Sequence, residues 1–487
     1  MHAIRGFLVA SLVVSSSALG CGSSSSAGAT KKPPPVFAQP TRLLAGDIGL
    51  EGVTAGNLVY LDRGAHEVRA IPFGGGDPQT IATDVSDTPG ATYSAPSGDL
   101  HVWAEHGVVV VASGSSGSAE TLTVWTAATG SKVVSKRALS AGLLIAADGQ
   151  SVVFLEDADV PTDSTLFEKL RLVRVGSATA IDLPLTGPSG DLSRTGSLIA
   201  MTLAGDRFVV AHDEGGRATI DAFDGNGART ALAKGVHCTA VGESGVFVVD
   251  DSGQARLIPF SGGAGVVVDS HVLWLEPAAG SGFFPAARAA LFFDGGKSIV
   301  YERGDDGGRT SLSRSSIAAP APTEVVAAGL GGPLLQLAPD GVSFAFASKA
   351  GKGPVQVASL ADKSPPVTVA AAYNGGDLSD DLFTADSAYA ALSSFDTAYA
   401  IDAHALHGTR TVTLPDGLGM RATHDSQIVF STLTAALNPS IEWADLSADD
   451  PPHVIATGAS SRFFLDEARA RVAYVVHGDG VYVLKLP

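Results

Sequence analysis

The residues of this chain that could do chemistry are few and stand mostly alone. Cys238 follows His237 directly, and a histidine beside a cysteine is the pair that an activated thiol nucleophile requires. Both residues lie in a stretch of strand-forming residues, where neighbouring side chains point to opposite faces of a sheet. The histidine therefore cannot easily reach the thiol, and we predict that Cys238 is a small buried apolar residue.

Metal ligands are equally sparse. His404 and His407 are three residues apart, a spacing that places them on opposite faces of a strand but on one face of a helical turn. The stretch 221–227 is acidic and rich in glycine but lacks the bidentate Glu of a calcium loop, and the stretches 305–308 and 377–381 are similar. We interpret all three as solvated turns and expect no metal, with a weak calcium site on one of them as the alternative.

The sequence assigns no catalytic residue and no cofactor. It has no Gly-x-Ser-x-Gly motif in a strand-to-helix context, and strand repeats reach the last residue, which leaves no room for a peptidase domain. Gly-rich stretches such as 73–78 open no helix, which argues against a phosphate cradle. An enzyme would need two or more carboxylates converging from inner strands, and Asp466 is one candidate for such a role.

The N-terminus has the layout of a secretory signal. Arg5 precedes the apolar run Phe7–Val14, and small residues follow up to position 20. The apolar run is too short to remain in a bilayer as a spanning helix. Export is therefore the first expectation for this chain.

The stretch Ala18-Leu19-Gly20-Cys21 resembles the lipobox of bacterial lipoproteins, with Ala18 where that family prefers Leu. The resemblance implies that residues 1–20 are removed as a signal peptide and that Cys21 bears the lipid. Gly22 stands where Asp would retain such a lipoprotein at the inner membrane, so the resemblance also implies the outer membrane. A soluble secreted protein cleaved nearby is the alternative.

Residues 21–35 have the composition of a tether. Positions 22–28 are nearly all Ser and Gly, and positions 31–35 read KKPPP. Gly/Ser segments are flexible and Pro runs are stiffer and extended. We therefore expect a folded body, residues 36–487, to stand off a membrane surface.

The composition excludes some classes of protein. Of 487 residues, 45% are hydrophobic and only 17% are charged, which is too apolar for a disordered chain. The net charge is −18, from 32 Lys and Arg against 50 Asp and Glu. Nucleic-acid binding needs clustered Lys and Arg, so we expect no nucleic acid as partner. The high glycine count, 57, favours many short strands joined by tight turns.

The body repeats itself along its whole length. A small turn, often Asp-Gly or Ser-Gly, leads into four to six strand-forming residues, and the copies recur about every 46 residues, the period of one four-stranded propeller blade. The ten copies begin at Ala55, Ser97, Asp148, Gly205, Ser244, Gly295, Asp340, Asp386, Asp425 and Ala468.

The clearest copy runs from Leu334 to Thr368 and reads as four strands. Its turn, Pro339-Asp340-Gly341, uses a glycine that tolerates positive φ. The turn and the apolar strands that follow it resemble the TolB-like propeller repeat, a relative of the WD-repeat blade. The resemblance covers roughly residues 43–487 and implies an interaction module, as TolB-like relatives are in envelope complexes.

The predicted fold is therefore an all-β propeller. Propellers usually have four to eight blades, so we expect one ring of about seven or eight four-stranded blades, with two smaller propellers as the alternative. The last copy ends after its third strand, and Val36–Ala45 is expected to supply the fourth and close the ring.

Some segments depart from the repeat. Residues 157–169 and 278–288 read as loop insertions, and Ser164–Leu172 is the one candidate for a helical turn. Aromatic residues at strand positions are interpreted as blade packing, with a glycan- or peptide-binding rim as the alternative. They are Trp103, Trp125, Trp274, Trp443, Phe344 and Phe346.

Three hypotheses for function follow. The leading one is a non-enzymatic lipoprotein of the cell envelope, anchored to the membrane through Cys21, whose propeller binds a partner protein, peptide or glycan. The second is a propeller-fold glycan lyase or hydrolase. The third is a passive surface lipoprotein without a specific ligand.

Overall fold

Within the residues described by the computed structural model, every element is a β-strand. Cys21, the tether, Trp274 and residues 278–288 and 377–381 lie outside them. The described residues are 36–85, 100–114, 120–146, 148–157, 168–183, 198–201, 207–213, 218–273, 290–305, 307–327, 334–348, 353–361, 364–371, 382–394, 400–415, 417–432 and 439–487.

The strands of the first half of the body are β1 (Thr41–Ala45), β2 (Ile48–Thr54), β3 (Asn57–Asp62), β4 (Glu67–Pro72), β5 (Gln79–Ala82), β6 (Leu100–Glu105), β7 (Val108–Ser113), β8 (Glu120–Thr126), β9 (Gly130–Ile145), β10 (Ser151–Asp157), β11 (Glu168–Arg174), β12 (Ala180–Asp182), β13 (Leu198–Met201), β14 (Arg207–Asp213), β15 (Ala218–Asp224), β16 (Arg229–Val241), β17 (Gly245–Val249), β18 (Ala255–Pro259) and β19 (Val266–Asp269).

The strands of the second half are β20 (Ala290–Phe293), β21 (Ser298–Gly304), β22 (Thr310–Ser316), β23 (Thr323–Val326), β24 (Leu334–Leu337), β25 (Ser343–Ala347), β26 (Val355–Ser359), β27 (Val367–Ala370), β28 (Tyr389–Ser394), β29 (Ala400–Ala405), β30 (Thr411–Pro415), β31 (Gly417–Ala422), β32 (Gln427–Thr432), β33 (Ser440–Asp445), β34 (His453–Thr457), β35 (Ala459–Leu465), β36 (Arg471–Val476) and β37 (Gly480–Lys485).

These strands form ten consecutive antiparallel units. The strands β9 and β16 are long enough to be the fourth strand of one unit and the first of the next, so each of two seven-stranded sheets contains two units. The units are, in order, β2–β5, β6–β9, β9–β12, β13–β16, β16–β19, β20–β23, β24–β27, β28–β30, β31–β34, and β35–β37 with β1. In unit 8 a single bridge between Phe383 and Ala390 stands where a first strand would pair.

The ends of the body close a ring, as the sequence predicts. Strand β1 pairs antiparallel with β37, from Thr41 opposite Val483 to Ala45 opposite Gly480, and becomes the fourth strand of unit 10. The closing strand covers an edge that would otherwise expose unpaired backbone groups. First strands of neighbouring units contact one another, so they lie on the inside of the ring.

The β-propeller fold is confirmed, but the predicted number of blades is wrong. The described residues form ten units rather than seven or eight, and each of the ten sequence copies falls in a different unit. The expected seven or eight blades reflect the commonest propeller sizes, whereas the repeats of this sequence correspond to ten. Unit 1 contacts unit 10 across β2 and β35, so the units join into one ring rather than two smaller ones.

The core lies between the units, not within them. Strand residues alternate between the two faces of a blade, and in a propeller both faces are covered by neighbours. In β25, Phe344 and Phe346 pack toward unit 6, while Ala345 between them packs toward unit 8. Every pair of successive units described here shares one such apolar cluster, including units 10 and 1. Middle strands therefore read as continuous apolar runs.

The expected helical turn at Ser164–Leu172 is not helical where it is described. Residues from Glu168 belong to β11, which pairs along its whole length with β10. The antiparallel ladder with β10 satisfies the backbone groups that a helix would use internally. The insertions at 157–169 and 278–288 lie mostly outside the described residues, which include only the strand residues Asp157, Glu168 and Lys169 of the first.

Because successive strands run antiparallel, their connections fall on two opposite faces of the ring. Connections from first to second and third to fourth strands lie on one face, called the turn face, which includes Ala55-Gly56 and Asp340-Gly341. Connections from second to third strands and from unit to unit lie on the other, called the loop face, which includes 63–66 and 477–479. No helix that could serve as a membrane span occurs among the described residues.

Candidate functional site

The predicted lipidation residue, Cys21, lies outside the described residues, so lipidation stays a prediction. Cys238 lies on β16 with its backbone opposite Val248, and its side chain is likewise not described. The imidazole of His237 beside it interacts with a different residue, because its Nε2 lies 3.2 Å from Asp251 Oδ1. The role of Cys238 as a buried apolar residue therefore also stays a prediction.

The two histidines considered as metal ligands are not brought together. His404 lies on β29 with its Nδ1 3.2 Å from Thr411 Oγ1, and His407 lies in the exposed turn after that strand. Among the described residues, no three His, Cys, Asp or Glu side chains are grouped as metal ligands would be. The stretch 377–381 lies outside those residues.

The other two acidic stretches are turns, as predicted. Asp224 Oδ1 accepts the backbone N–H groups of Asn226 and Ala228 at 2.8 and 2.9 Å, and it closes the turn between β15 and β16. Asp305 accepts the N–H groups of Gly307 and Arg309 in the same way. These carboxylates are occupied by their own backbone, which is the Asx-turn arrangement.

This turn chemistry recurs and accounts for part of the acidity of the chain. A hydrogen bond from backbone N–H favours the charged carboxylate, and it lowers the pKa of Asp224 and Asp305 below the usual range. In Asp250 the Ser252 hydroxyl is the main cause of a lowered pKa. The aspartates that accept a backbone N–H from their own turn are Asp62, Asp148, Asp224, Asp250, Asp269, Asp305, Asp340, Asp386, Asp445 and Asp466.

Asp466 is therefore not a free acid on an inner strand, which corrects the expectation of a catalytic candidate there. It follows β35 in the turn to β36, is 5% exposed, and accepts two backbone N–H groups of that turn. Its other oxygen accepts Arg471 Nε at 2.8 Å. Among the described residues, its partners belong to the turn that it closes and to the first residue of β36, so its role is structural.

The first strands bring few carboxylates to the inside of the ring. Glu51 on β2 and Glu105 on β6 are the acids on the described first strands. Glu51 is ion-paired with Arg462 of β35, Oε2 to Nη1 at 3.0 Å, across the junction of units 1 and 10. Both residues lie at register shifts of their strands, where a side chain leaves the regular ladder.

Most of the strand aromatics are confirmed as blade packing. Trp125, Phe344 and Phe346 are at most 1% exposed, and Trp443 is 7% exposed in the cluster between units 9 and 10. Trp103 is half-buried on β6 and stacks on His101 with ring centroids 5.8 Å apart. The described aromatics therefore serve the interfaces between units rather than a rim.

A polar network joins units 5 and 6. The carboxylate of Asp269, at the end of β19, is buried and accepts the Tyr301 hydroxyl at 3.0 Å and Arg303 Nε at 2.9 Å. Burial, then the charge of Asp269, raises the pKa of Tyr301 far above its usual range, so the phenol keeps its proton and donates a hydrogen bond to the carboxylate. Arg303 Nη2 also approaches His271 Nδ1 at 3.4 Å.

A polar cleft of about 310 Å³ opens beside this network on unit 6. The sequence analysis does not predict this cleft, although the sequence of β22, TSLSRSS, has a serine at every second position. Third strands of a propeller are covered on both faces and are mostly apolar, whereas Ser311, Ser313 and Ser315 place three hydroxyls on one buried face. A serine at every second position of a buried strand indicates a polar lining.

The N-terminal end of the described body is held on the turn face. Residues 36–40 precede β1 and lie against the beginning of β34. The Phe37 ring stacks on His453 with centroids 4.1 Å apart and meets Trp443 edge-on at 5.7 Å. The segment that would follow the tether is therefore attached to the body at a defined place.

No family model matches this chain, and the search of curated proteins found no match either. Among solved structures, a eukaryotic initiation factor is 11% identical over 84% of this chain and 96% of that chain, with a TM-score of 0.48. A prolyl endopeptidase is 13% identical over 83% of this chain and 55% of its own, with a TM-score of 0.40. TolB from Acinetobacter baumannii is 12% identical over 68% of this chain and 65% of its own, with a TM-score of 0.26.

These comparisons amount to a distant structural similarity to β-propeller proteins, some of them enzymes and some not. At such low identity the similarity concerns the fold alone. The assignment of this chain to the propeller fold rests on its own order of sheets and its closing strand.

Proposed function

We propose that this chain is an envelope lipoprotein that is anchored to the outer membrane through Cys21 and acts as a non-enzymatic propeller that binds a partner protein or peptide. The signal-like segment 1–20 and the tether 21–35 support the anchor. The observation that carries the proposal is the attachment of residues 36–40 to one face of a closed ring. A body held at one face presents its opposite face to partners.

The two faces differ in a way that supports this binding role. Turn-face connections are mostly short and are closed by carboxylates and glycines, as at Asp340-Gly341. On the loop face, the connections from β5 to β6 and from β19 to β20 are 17 and 20 residues long. Long connections on a rigid scaffold are where binding residues concentrate. We therefore assign the loop face to the partner and the turn face to the membrane.

The carboxylates support a non-enzymatic role. Asp466 and the described turn aspartates are engaged by their own backbone, and Glu51 is ion-paired. A glycan lyase or hydrolase would need acids that converge on a substrate. The first strands described here offer Glu51 and Glu105, which lie on different strands and have other ionic partners.

Metabolic labelling with a fatty-acid analogue tests the anchor. We expect label on the wild-type chain and none on the Cys21→Ser variant, which should also appear in the soluble fraction of the envelope extract. Cys238→Ser is the matched control and should label like the wild type. Equal labelling of the Cys21→Ser variant would refute lipidation at this residue.

Site-specific cross-linking in intact envelopes tests the binding role. A photo-crosslinking residue at Ala65 on the loop face should capture a discrete partner, and one at Ala128 on the turn face should capture lipid or nothing. Both positions are exposed. Capture of the same partner from Ala128 but not from Ala65 would reverse the proposed orientation, and capture from neither position would support a passive lipoprotein.

A further inference from the structure

The cleft on unit 6 has the features of a binding site for a small polar molecule. It lies on the face of unit 6 that is turned to unit 5, next to the network of Asp269, Tyr301 and Arg303. Its volume, about 310 Å³, is at the lower end of the range for ligand pockets. Its lining includes Arg303, Asp305, Arg309, Ser311, Ser313 and Glu324.

The guanidinium groups of Arg303 and Arg309 each contact a carboxylate through Nε and have further N–H groups that can donate hydrogen bonds. Arg303 uses Nε on Asp269 and Nη2 on His271, and no bond of its Nη1 to another described residue is formed. Arg309 uses Nε on Asp305 at 3.1 Å, and among the described residues its two terminal nitrogens have no hydrogen-bond partner. The Arg309 side chain is 70% exposed, and terminal guanidinium nitrogens such as these can pair with a carboxylate.

Two serine hydroxyls in the lining of the cleft can also bond to a ligand. Ser311 and Ser313 are 9% and 2% exposed, and neither hydroxyl bonds to another described residue. Hydroxyls that line a cleft can donate a hydrogen bond to a bound molecule or accept one from it. Ser311 lies opposite Arg303 in the ladder, and Ser313 lies opposite Tyr301, so both belong to the face of the cleft.

A carboxylate stands at the other end of the cleft. Glu324 on β23 lies opposite Ser313 of β22, and β22 in turn lies between β23 and the strand of Arg303. Two strand spacings amount to about 10 Å. The cleft therefore has two arginines at one end, each paired with an aspartate, Glu324 at the other end, and hydroxyls between them. A single inorganic anion would match the cationic end and be repelled by Glu324.

We propose that this cleft binds a short peptide of two or three residues by its charged ends. The terminal carboxylate pairs with Arg303 and Arg309, the terminal ammonium pairs with Glu324, and Ser311 and Ser313 bond to the peptide groups between. This site deepens the proposed peptide-binding role by naming a ligand class. The peptide site does not depend on the lipid anchor, so a failure of Cys21 to take up the fatty-acid label would not contradict it.

Isothermal titration calorimetry on the full-length protein with tri-alanine as probe tests the site. We expect free tri-alanine to bind, and N-acetyl-tri-alanine and tri-alanine amide each to bind at least tenfold more weakly. Arg309→Gln should weaken free tri-alanine at least tenfold. Glu324→Gln should remove the preference for free over N-acetylated peptide, which a merely structural role would not do.

Arg63→Gln is the matched control, since Arg63 forms an arginine–carboxylate pair with Asp47 at 3.0 Å on the same face but in unit 1. This variant should bind like the wild type. Binding of N-acetyl-tri-alanine or of tri-alanine amide as tightly as free tri-alanine would overturn the proposal. So would no heat with any of the peptides at millimolar concentration, or binding of glucose in their place. These results would leave the cross-linking and labelling tests unaffected.

Discussion

The ring of Phe37 stacks on the ring of His453, with centroids 4.1 Å apart and planes 4° from parallel. Phe37 lies four residues before the strand that closes the propeller, and His453 begins the fourth strand of unit 9. The contact therefore joins the N-terminal segment to one unit just before that segment completes the next. Anchoring and closure use the same short stretch of chain.

Removal of the closing strand should destabilise the whole ring. A variant lacking residues 1–45 loses the β1–β37 ladder and the packing of Leu43 and Leu44 on the cluster of units 10 and 1. Lost hydrogen bonds and buried apolar area together predict a fall of roughly 3 kcal/mol or more in the free energy of unfolding. Urea denaturation followed by fluorescence measures it.

The matched control is a variant lacking residues 1–35, which keeps Phe37 and β1. It should unfold at the same urea concentration as the mature chain and stay monodisperse in size-exclusion chromatography. The shorter variant should associate, since the edge of β37 is then unpaired. Equal stability of the two variants would show that β1 does not close the ring.

The alternation of β25 predicts that its two faces respond differently to substitution. Phe346→Ala leaves a cavity between units 6 and 7 and should cost about 3–5 kcal/mol. Ala345→Leu overfills the opposite interface with unit 8 and should cost about 1–3 kcal/mol. The urea midpoints of the two variants, compared at constant m-value, measure both losses of stability. An Ala345→Leu variant as stable as the wild type would mean that the interface with unit 8 is loosely packed.

The sequence was sufficient for the strand order, the turn at Asp340-Gly341 and the closing strand, because each is a local pattern. Period-two apolar residues and turn residues reveal a blade wherever it occurs. The ten copies also indicate ten blades, whereas an expectation of seven or eight follows only from the usual size of propellers. Repeat counts are stronger evidence than the usual size of a fold.

The polar features could not be predicted in the same way. Glu51 and Arg462 are 411 residues apart in the chain and meet because the ring closes. Asp269 and Arg303 belong to different units and meet across their interface. No local pattern links such residues, so a sequence-based search sees an isolated acid and an isolated base. Only the alternating serines of β22 gave a local sign of the cleft.

Loss of the Asp269 carboxylate should lower the free energy of unfolding more than loss of the Tyr301 hydroxyl that bonds to it. Asp269→Ala leaves the hydroxyl of the fully buried Tyr301 and the Nε of the partly buried Arg303 without their acceptor, which should cost about 3 kcal/mol. Tyr301→Phe removes one hydrogen bond and should cost about 1 kcal/mol. Chemical denaturation of the two variants tests the ranking, and an equal loss in both would place the energy in the tyrosine packing instead.

The turn aspartates predict a loss of stability in acid. The pKa of Asp224 and that of Asp250 are lowered in the folded chain, so the unfolded chain takes up protons first as the pH falls. Their contribution is complete above the ordinary aspartate pKa of about 4 and disappears as the pH falls through the lower folded pKa. Both carboxylates are largely solvated, so each contributes on the order of a few tenths of a kcal/mol.

The double variant Asp224→Asn with Asp250→Asn keeps side-chain oxygens that can accept the turn N–H groups but removes the two titrating charges. It should be slightly less stable than the wild type at pH 7 and should lose less stability between pH 5 and pH 2. Asp77→Asn is the control, because Asp77 is exposed and outside these turns. The urea midpoints of the wild type and the double variant, measured from pH 5 to pH 2, test this prediction. Parallel pH profiles of the two proteins would show that the turn carboxylates do not determine the loss of stability in acid.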